Sequence, residues 1–158
     1  MNTVLLEKAI SLAWQARAEG NRPFGSLITD PEGKIIAQGV NTVLTSGDVT
    51  GHSETNALRA ALQTVERPGP ALMAGHTLYS SAEPCMMCTG ALYLAGVSRV
   101  VYALNSAELE ALAGPLPRVR TLPFSLDLAL QAGDGNTVAD YVPLPAASDV
   151  HRGYWKEP

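Results

Sequence analysis

Cys85 and Cys88 are the only cysteines in the sequence, and they stand three positions apart directly after Glu83-Pro84. On a helix, that spacing brings both sulfurs to one face, where they can share one ion. Pro84 suits the first turn of such a helix, whose unpaired amides favour thiolate, the form that binds metal. Taken alone, a C-x-x-C pair serves equally well as a redox couple or as buried thiols. His52, upstream at the head of another helix-like stretch, supplies a third ligand. One imidazole with two thiolates is a known open zinc set, in which the fourth position is left for water. A purely structural zinc would need a fourth protein ligand, and neither a third Cys nor a nearby second His offers one. His76 reads as the opening of a strand rather than as a ligand.

Glu54 follows His52 by two residues, a spacing that points the two side chains to nearly opposite sides of a regular helix. Both can approach one site only at an irregular helix start. There the carboxylate need not bind metal and can stand against a zinc-polarised water, whose pKa falls to about 7. The chemistry indicated is hydrolytic, with Glu54 moving protons.

These residues need elements to hold them. Leu5, Ala9, Leu12 and Ala16 recur at helical spacing, with Gly20 placed to end the helix. Phe24 to Thr29 and Lys34 to Val40 read as strands joined by the turn Asp30-Pro31-Glu32-Gly33. Ser53 to Val65 reads as a second helix that Pro68-Gly69-Pro70 breaks. His76 to Ser80, Cys85 to Ala95 and Arg99 to Leu104 form a strand-helix-strand unit with a parallel pair. Met86 and Met87 read as core filler. Beyond Gly114 the signals weaken to a strand around Ser125 to Leu130, a loop-rich stretch to Ser148, and the aromatic tail His151-Arg152-Gly153-Tyr154-Trp155. No repeat divides the chain, so 1–158 is read as one α/β domain with a mixed sheet covered by helices on both faces. The tail, 145–158, packs either on its own subunit or on a partner subunit.

Composition narrows the partners. Eleven Lys and Arg face fifteen Asp and Glu, giving a formal charge of -4. Only three of the basic residues are Lys, and no basic run exceeds Arg118-Val119-Arg120. RNA binding requires a phosphate-neutralising surface, which this balance does not advertise. The stretch from Met1 to Gly20 carries Glu7, Lys8, Arg17 and Glu19, so it reads as neither signal peptide nor membrane span, and a cytoplasmic location is expected.

His52-Ser53-Glu54 with Pro84-Cys85-Met86-Met87-Cys88 matches the H-x-E and P-C-x-x-C pattern of zinc deaminases that act on nucleobases. Together with Pro23-Phe24-Gly25, Asn41, Asp48 to Gly51, Glu83 and Arg99 to Tyr102, it resembles the cytidine deaminase superfamily over residues 23–104. Within that superfamily the likeness is greatest to bacterial guanine deaminases and tRNA adenosine deaminases. The resemblance implies a three-layer α/β/α fold around a mixed five-stranded sheet. It also implies Zn2+ on His52, Cys85 and Cys88, with Glu54 as proton shuttle. Asn41 would hydrogen-bond the ring, Phe24 would stack on it, and the Ser53 and Cys85 amides would line the site. Glu83 would reach polar groups at the ring edge. Ser53 stands where alanine is usual in both relatives, and Leu94 where guanine deaminases tend to carry an aromatic residue.

The expected activity is deamination of a free nucleobase or similarly small aminated ring by a homodimer, a guanine-like purine being the first choice. Tyr154 and Trp155 would close the pocket over such a ring, and would obstruct a nucleotide still attached to its strand. The alternatives are a tRNA adenosine deaminase, a cytosine or nucleoside deaminase, and a catalytically silent zinc module that binds without turnover.

Overall fold

The computed structural model describes residues 3–65, 72–114 and 125–155. Pro68-Gly69-Pro70, Arg118-Val119-Arg120 and the last three residues of the tail lie outside them. The chain opens with α1 (Val4–Ala18), the hairpin β1 (Gly25–Thr29) and β2 (Ile35–Val40), and the short α2 (Val43–Ser46). It continues through α3 (Ser53–Leu62), β3 (Thr77–Ser80), α4 (Met86–Ala95), β4 (Arg99–Tyr102) and α5 (Ser106–Ala113). It closes with α6 (Leu126–Gln131), β5 (Val138–Tyr141) and α7 (Pro145–Asp149).

Among the described residues the strands form one mixed sheet in the order β2-β1-β3-β4-β5. β1 is antiparallel to both β2 and β3, and β3, β4 and β5 run parallel. The hairpin turn is held by the Asp30 carboxylate, which accepts from the Lys34 amide at 2.8 Å, and Gly33 takes the positive φ (84°) the turn requires.

Strand side chains alternate between two cores. Ile28, Leu78 and Val100 pack with α3, α4 and α6 on one face. Tyr79 and Val101 pack with α1, α5 and α7 on the other. This alternation makes the molecule a three-layer α/β/α sandwich, since each buried Leu, Ile or Val stabilises its layer by roughly 1.5–3 kcal/mol. Two glycines set the closest approaches. A Cβ on Gly25 would overlap the Ala9 and Ala13 backbone of α1, and one on Gly39 would overlap the Ser53 carbonyl and the Ala57 amide of α3.

Several expectations are corrected. Ser125 to Leu130 is a helix, not a strand: the Ser125 hydroxyl caps it by accepting from the Leu128 amide, and Leu126 and Leu130 bury one turn apart. The last strand lies instead at Val138–Tyr141, within the stretch read as loop. It is an exposed edge strand and carries little apolar alternation. α5 was not expected either, although Asn105 and Glu108 form a reciprocal capping box at its start. α1 turns Leu6, Ala9, Ile10, Ala13 and Ala16 inward, so the buried stripe runs beside the Leu5–Leu12 line. Pro84 precedes the N-cap Cys85 rather than entering the first turn. Met86 and Met87 are 46% and 37% exposed and are not core.

Candidate metal and proton-transfer site

The site forms at the carboxyl ends of the parallel strands, where open α/β sheets bind ligands. Chain leaving β3 reaches α4, and chain leaving β2 reaches α3. His52 and Cys85 occupy the N-cap positions of these two helices, both with extended backbone (ψ 155° and 172°). Neither side chain caps its own helix, so both remain directed to other partners. The extended N-cap is the irregular helix start that His52 and Glu54 need to share a site. Thr42, following Asn41, donates its amide to the Gly51 carbonyl at 2.9 Å and anchors the segment that delivers His52.

The three donor atoms converge. His52 Nδ1 lies 3.5 Å from Cys85 Sγ and 3.6 Å from Cys88 Sγ, and the two sulfurs are 3.7 Å apart. A tetrahedral zinc with ordinary bond lengths separates two sulfurs by about 3.8 Å, and sulfur from nitrogen by about 3.6 Å. The triangle therefore fits one face of a zinc tetrahedron. His52, Cys85 and Cys88 are the one such group of His, Cys, Asp or Glu among the described residues.

The electrostatics agree with a metal centre. The contact with Cys88, and then that with His52, bring the Cys85 thiol down to about 4, while the same shared contact pushes Cys88 up. His52 is raised, chiefly by its contact with Cys85. Two thiols and an imidazole thus compete for protons that a cation would displace. Glu54, 6% exposed, is raised mainly by burial, which opposes its charged form. Its Oε2 accepts from the Ser53 hydroxyl at 2.9 Å.

The chain matches the family model "Cytidine and deoxycytidylate deaminase zinc-binding region" over residues 2–104. It belongs to this family. The deaminases it is similar to differ in the rings their names give. A guanine deaminase of Bacillus subtilis is 41% identical over 104 residues, covering 65% of this chain and 64% of that protein. A probable cytosine deaminase of Schizosaccharomyces pombe is 38% identical over 104 residues, covering 66% of this chain and 60% of that protein. The chain therefore spans less than two thirds of either relative. A solved guanine deaminase from Nitrosomonas europaea superposes with a TM-score of 0.77 at 28% identity, covering 98% of this chain and 84% of that one. The deaminase family's sheet is thus the sheet described above, and its zinc-binding region contains the His52, Cys85 and Cys88 triangle.

The remaining expected residues fall into three groups. Asn41 is buried beside Phe24, whose carbonyl accepts the Asn41 amide at 3.0 Å; its Oδ1 accepts from the Val43 amide at 3.2 Å. Ser53 is fully buried behind Glu54. Glu83 is already engaged: Oε2 accepts from the Ser106 amide at 2.8 Å and Oε1 from the Leu126 amide at 3.4 Å, at the starts of α5 and α6. A ring-edge contact from Glu83 would compete with these two amides. Leu94 is largely exposed on α4, and His76 precedes β3, as expected.

The described residues of the tail, to Trp155, make contacts within the chain. His151 packs 5.2 Å from the Phe24 ring, and Trp155 lies 6.3 Å from Phe24 and stacks on His151 at 5.9 Å. Arg17, whose role in the site carries no signal in the sequence, secures it by donating to the Val150 and Arg152 carbonyls at 2.7 and 3.0 Å. Its guanidinium also sits 5.6 Å from the Tyr154 ring centre. The i,i+3 and i,i+4 pattern of α1 sets Arg17 at the border of the buried stripe that includes Ala13 and Ala16.

His151 is 1% exposed, and both of its ring nitrogens lack partners among the described residues. Burial, with Arg17 nearby, pushes it down from 6.5 to about 4. A folded-state pKa below the unfolded one means that the unfolded chain binds the extra proton. Stability should therefore be full above about pH 6.5 and fall as pH drops towards about 4, by roughly 3 kcal/mol in all. Urea midpoints across that range should show the loss, and His151→Phe should flatten it. Equal slopes in the two proteins would exclude His151 as the cause.

Proposed function

We propose that this chain is a zinc-dependent hydrolase that deaminates a small free aminated ring, a guanine-like purine first, and works as a homodimer in the cytoplasm. The observation that carries this reading is a buried carboxylate, Glu54, beside a three-donor triangle with zinc dimensions. His52, Cys85 and Cys88 would hold the ion, which when bound polarises water and lowers its pKa to about 7. Glu54 would take a proton from the attacking water and deliver it to the ring nitrogen as the water oxygen bonds to the amine-bearing carbon. It would then take the remaining proton from the new hydroxyl and pass it to the departing amine, so that water and C–NH2 become C=O and ammonia.

Asn41 would hydrogen-bond the ring, Phe24 would stack on it, and the Ser53 and Cys85 amides would border it. Tyr154 and Trp155 would close the pocket above Phe24. Deleting 150–158 would also remove the buried Val150 and His151, so truncation after Arg152 isolates the lid. That truncation should lower turnover on the order of tenfold with zinc content unchanged, because a closed pocket fixes the ring for attack. Unchanged kinetics would count decisively against a lid.

A net charge of -4 supports a small ring over RNA. The deciding experiment screens free bases, nucleosides and a tRNA anticodon stem-loop for ammonia release and inosine formation. Ammonia from guanine or a related free ring, without RNA editing, is expected. Inosine in the RNA with no activity on free bases would establish the tRNA enzyme, and no release from any substrate would establish a silent zinc module.

A further inference from the structure

Three serine hydroxyls run through the core to Glu54. Ser80 on β3 and Ser26 on β1 are register partners across the sheet, with their Oγ atoms 3.1 Å apart. Ser26 Oγ lies 2.9 Å from Ser53 Oγ, and Ser53 donates to Glu54 Oε2 at 2.9 Å. All three serines are at most 1% exposed. Apolar side chains would be cheaper to bury at each position, so the hydroxyls need a purpose beyond filling space.

From this geometry we propose that Ser26 is a positioning residue that acts through Ser53 to fix the Glu54 carboxylate for proton transfer. A hydroxyl carries one proton and can accept two. Ser53 spends its proton on Oε2, so its link to Ser26 requires Ser26 to donate. Ser26 has one proton and two serine oxygens in reach: it is placed to donate to Ser80 at 3.1 Å, and donating instead to the nearer Ser53, at 2.9 Å, leaves the Ser26–Ser80 contact without a proton. Donation into Ser53 makes Ser53 a better donor in turn, as linked hydrogen bonds polarise one another. Gly39 makes the approach possible: it is the β2 partner of Ser26, and any side chain there would push away the Ser53 backbone. Oε2 is thereby held from behind, and the other carboxylate oxygen takes no part in the serine chain.

The inference rests on Glu54 acting as the proton shuttle, and a double-mutant cycle separates the two. In the zinc-loaded protein, Ser53→Ala should lower kcat about tenfold with KM and zinc content unchanged, the scale of one hydrogen bond to a charged group. Ser26→Ala should lower kcat by about threefold in the natural background and have no further effect in Ser53→Ala. Should Ser26→Ala fail to fold, Ser26→Cys keeps the volume with a weak donor and should show the same dependence on Ser53. Losses that multiply in the double variant, or that fall on KM, would overturn the proposal. Glu54→Ala is the control. If it abolishes turnover while the serine variants remain fully active, only the serine chain fails, whereas retained turnover in Glu54→Ala removes the shuttle itself.

Discussion

Glu54→Ala should retain zinc and fold yet lose turnover by about 1,000-fold, the scale expected when a positioned general acid and base is removed. The reason lies in its position. Glu54 is not one of the three converging donors, and its carboxylate accepts from Ser53 while also lying against Cys88. Metal analysis and steady-state kinetics on the same preparation check both halves. Near-normal kcat would refute the shuttle, and loss of zinc together with activity would reassign Glu54 as a ligand.

Cys85→Ala should reduce zinc from one ion per chain to a trace after gel filtration, and should abolish turnover with it. Two donors separated by 3.6 Å, His52 Nδ1 and Cys88 Sγ, would remain. They cannot hold against competing buffer ligands, because each lost thiolate removes both a bond and a charge. Equal zinc in the natural chain and the variant would sink the ligand assignment.

The sequence made the site more legible than the fold. Metal chemistry constrains residue type and spacing together, so His52, Glu54, Cys85 and Cys88 announce themselves even where the backbone is irregular. The hairpin and the strand-helix-strand unit were also legible, because buried faces there impose periodicity. β5 was not: at the sheet edge it leaves Val138 and Tyr141 exposed, which blurs the apolar pattern. Leu126, Leu128 and Leu130 alternate as a strand would, but the Ser125 N-cap turns the run into a helix that buries only Leu126 and Leu130. Ser26 and Ser80 gave no signal at all, since serines on different strands become neighbours only through sheet register. Nothing local reveals the two amides that Glu83 serves, 23 and 43 positions away.

The two N-caps that carry His52 and Cys85 also set an order of assembly. Cys85 and Cys88 belong to one helical turn, so a chain with little more than α4 formed already presents both sulfurs together. His52 is 33 positions from Cys85, and in the folded chain it reaches them through the pairing of β1 with β3 and the packing of α3 on Gly39. Contacts so distant in sequence form late, because the intervening loop must first be closed. A refolding chain is therefore expected to bring two sulfurs together before the full triangle, and zinc added early should exchange faster than zinc added to the folded chain. Metal supplied after the sheet has formed encounters all three donors at once, and from then on its binding energy bears on the native state alone.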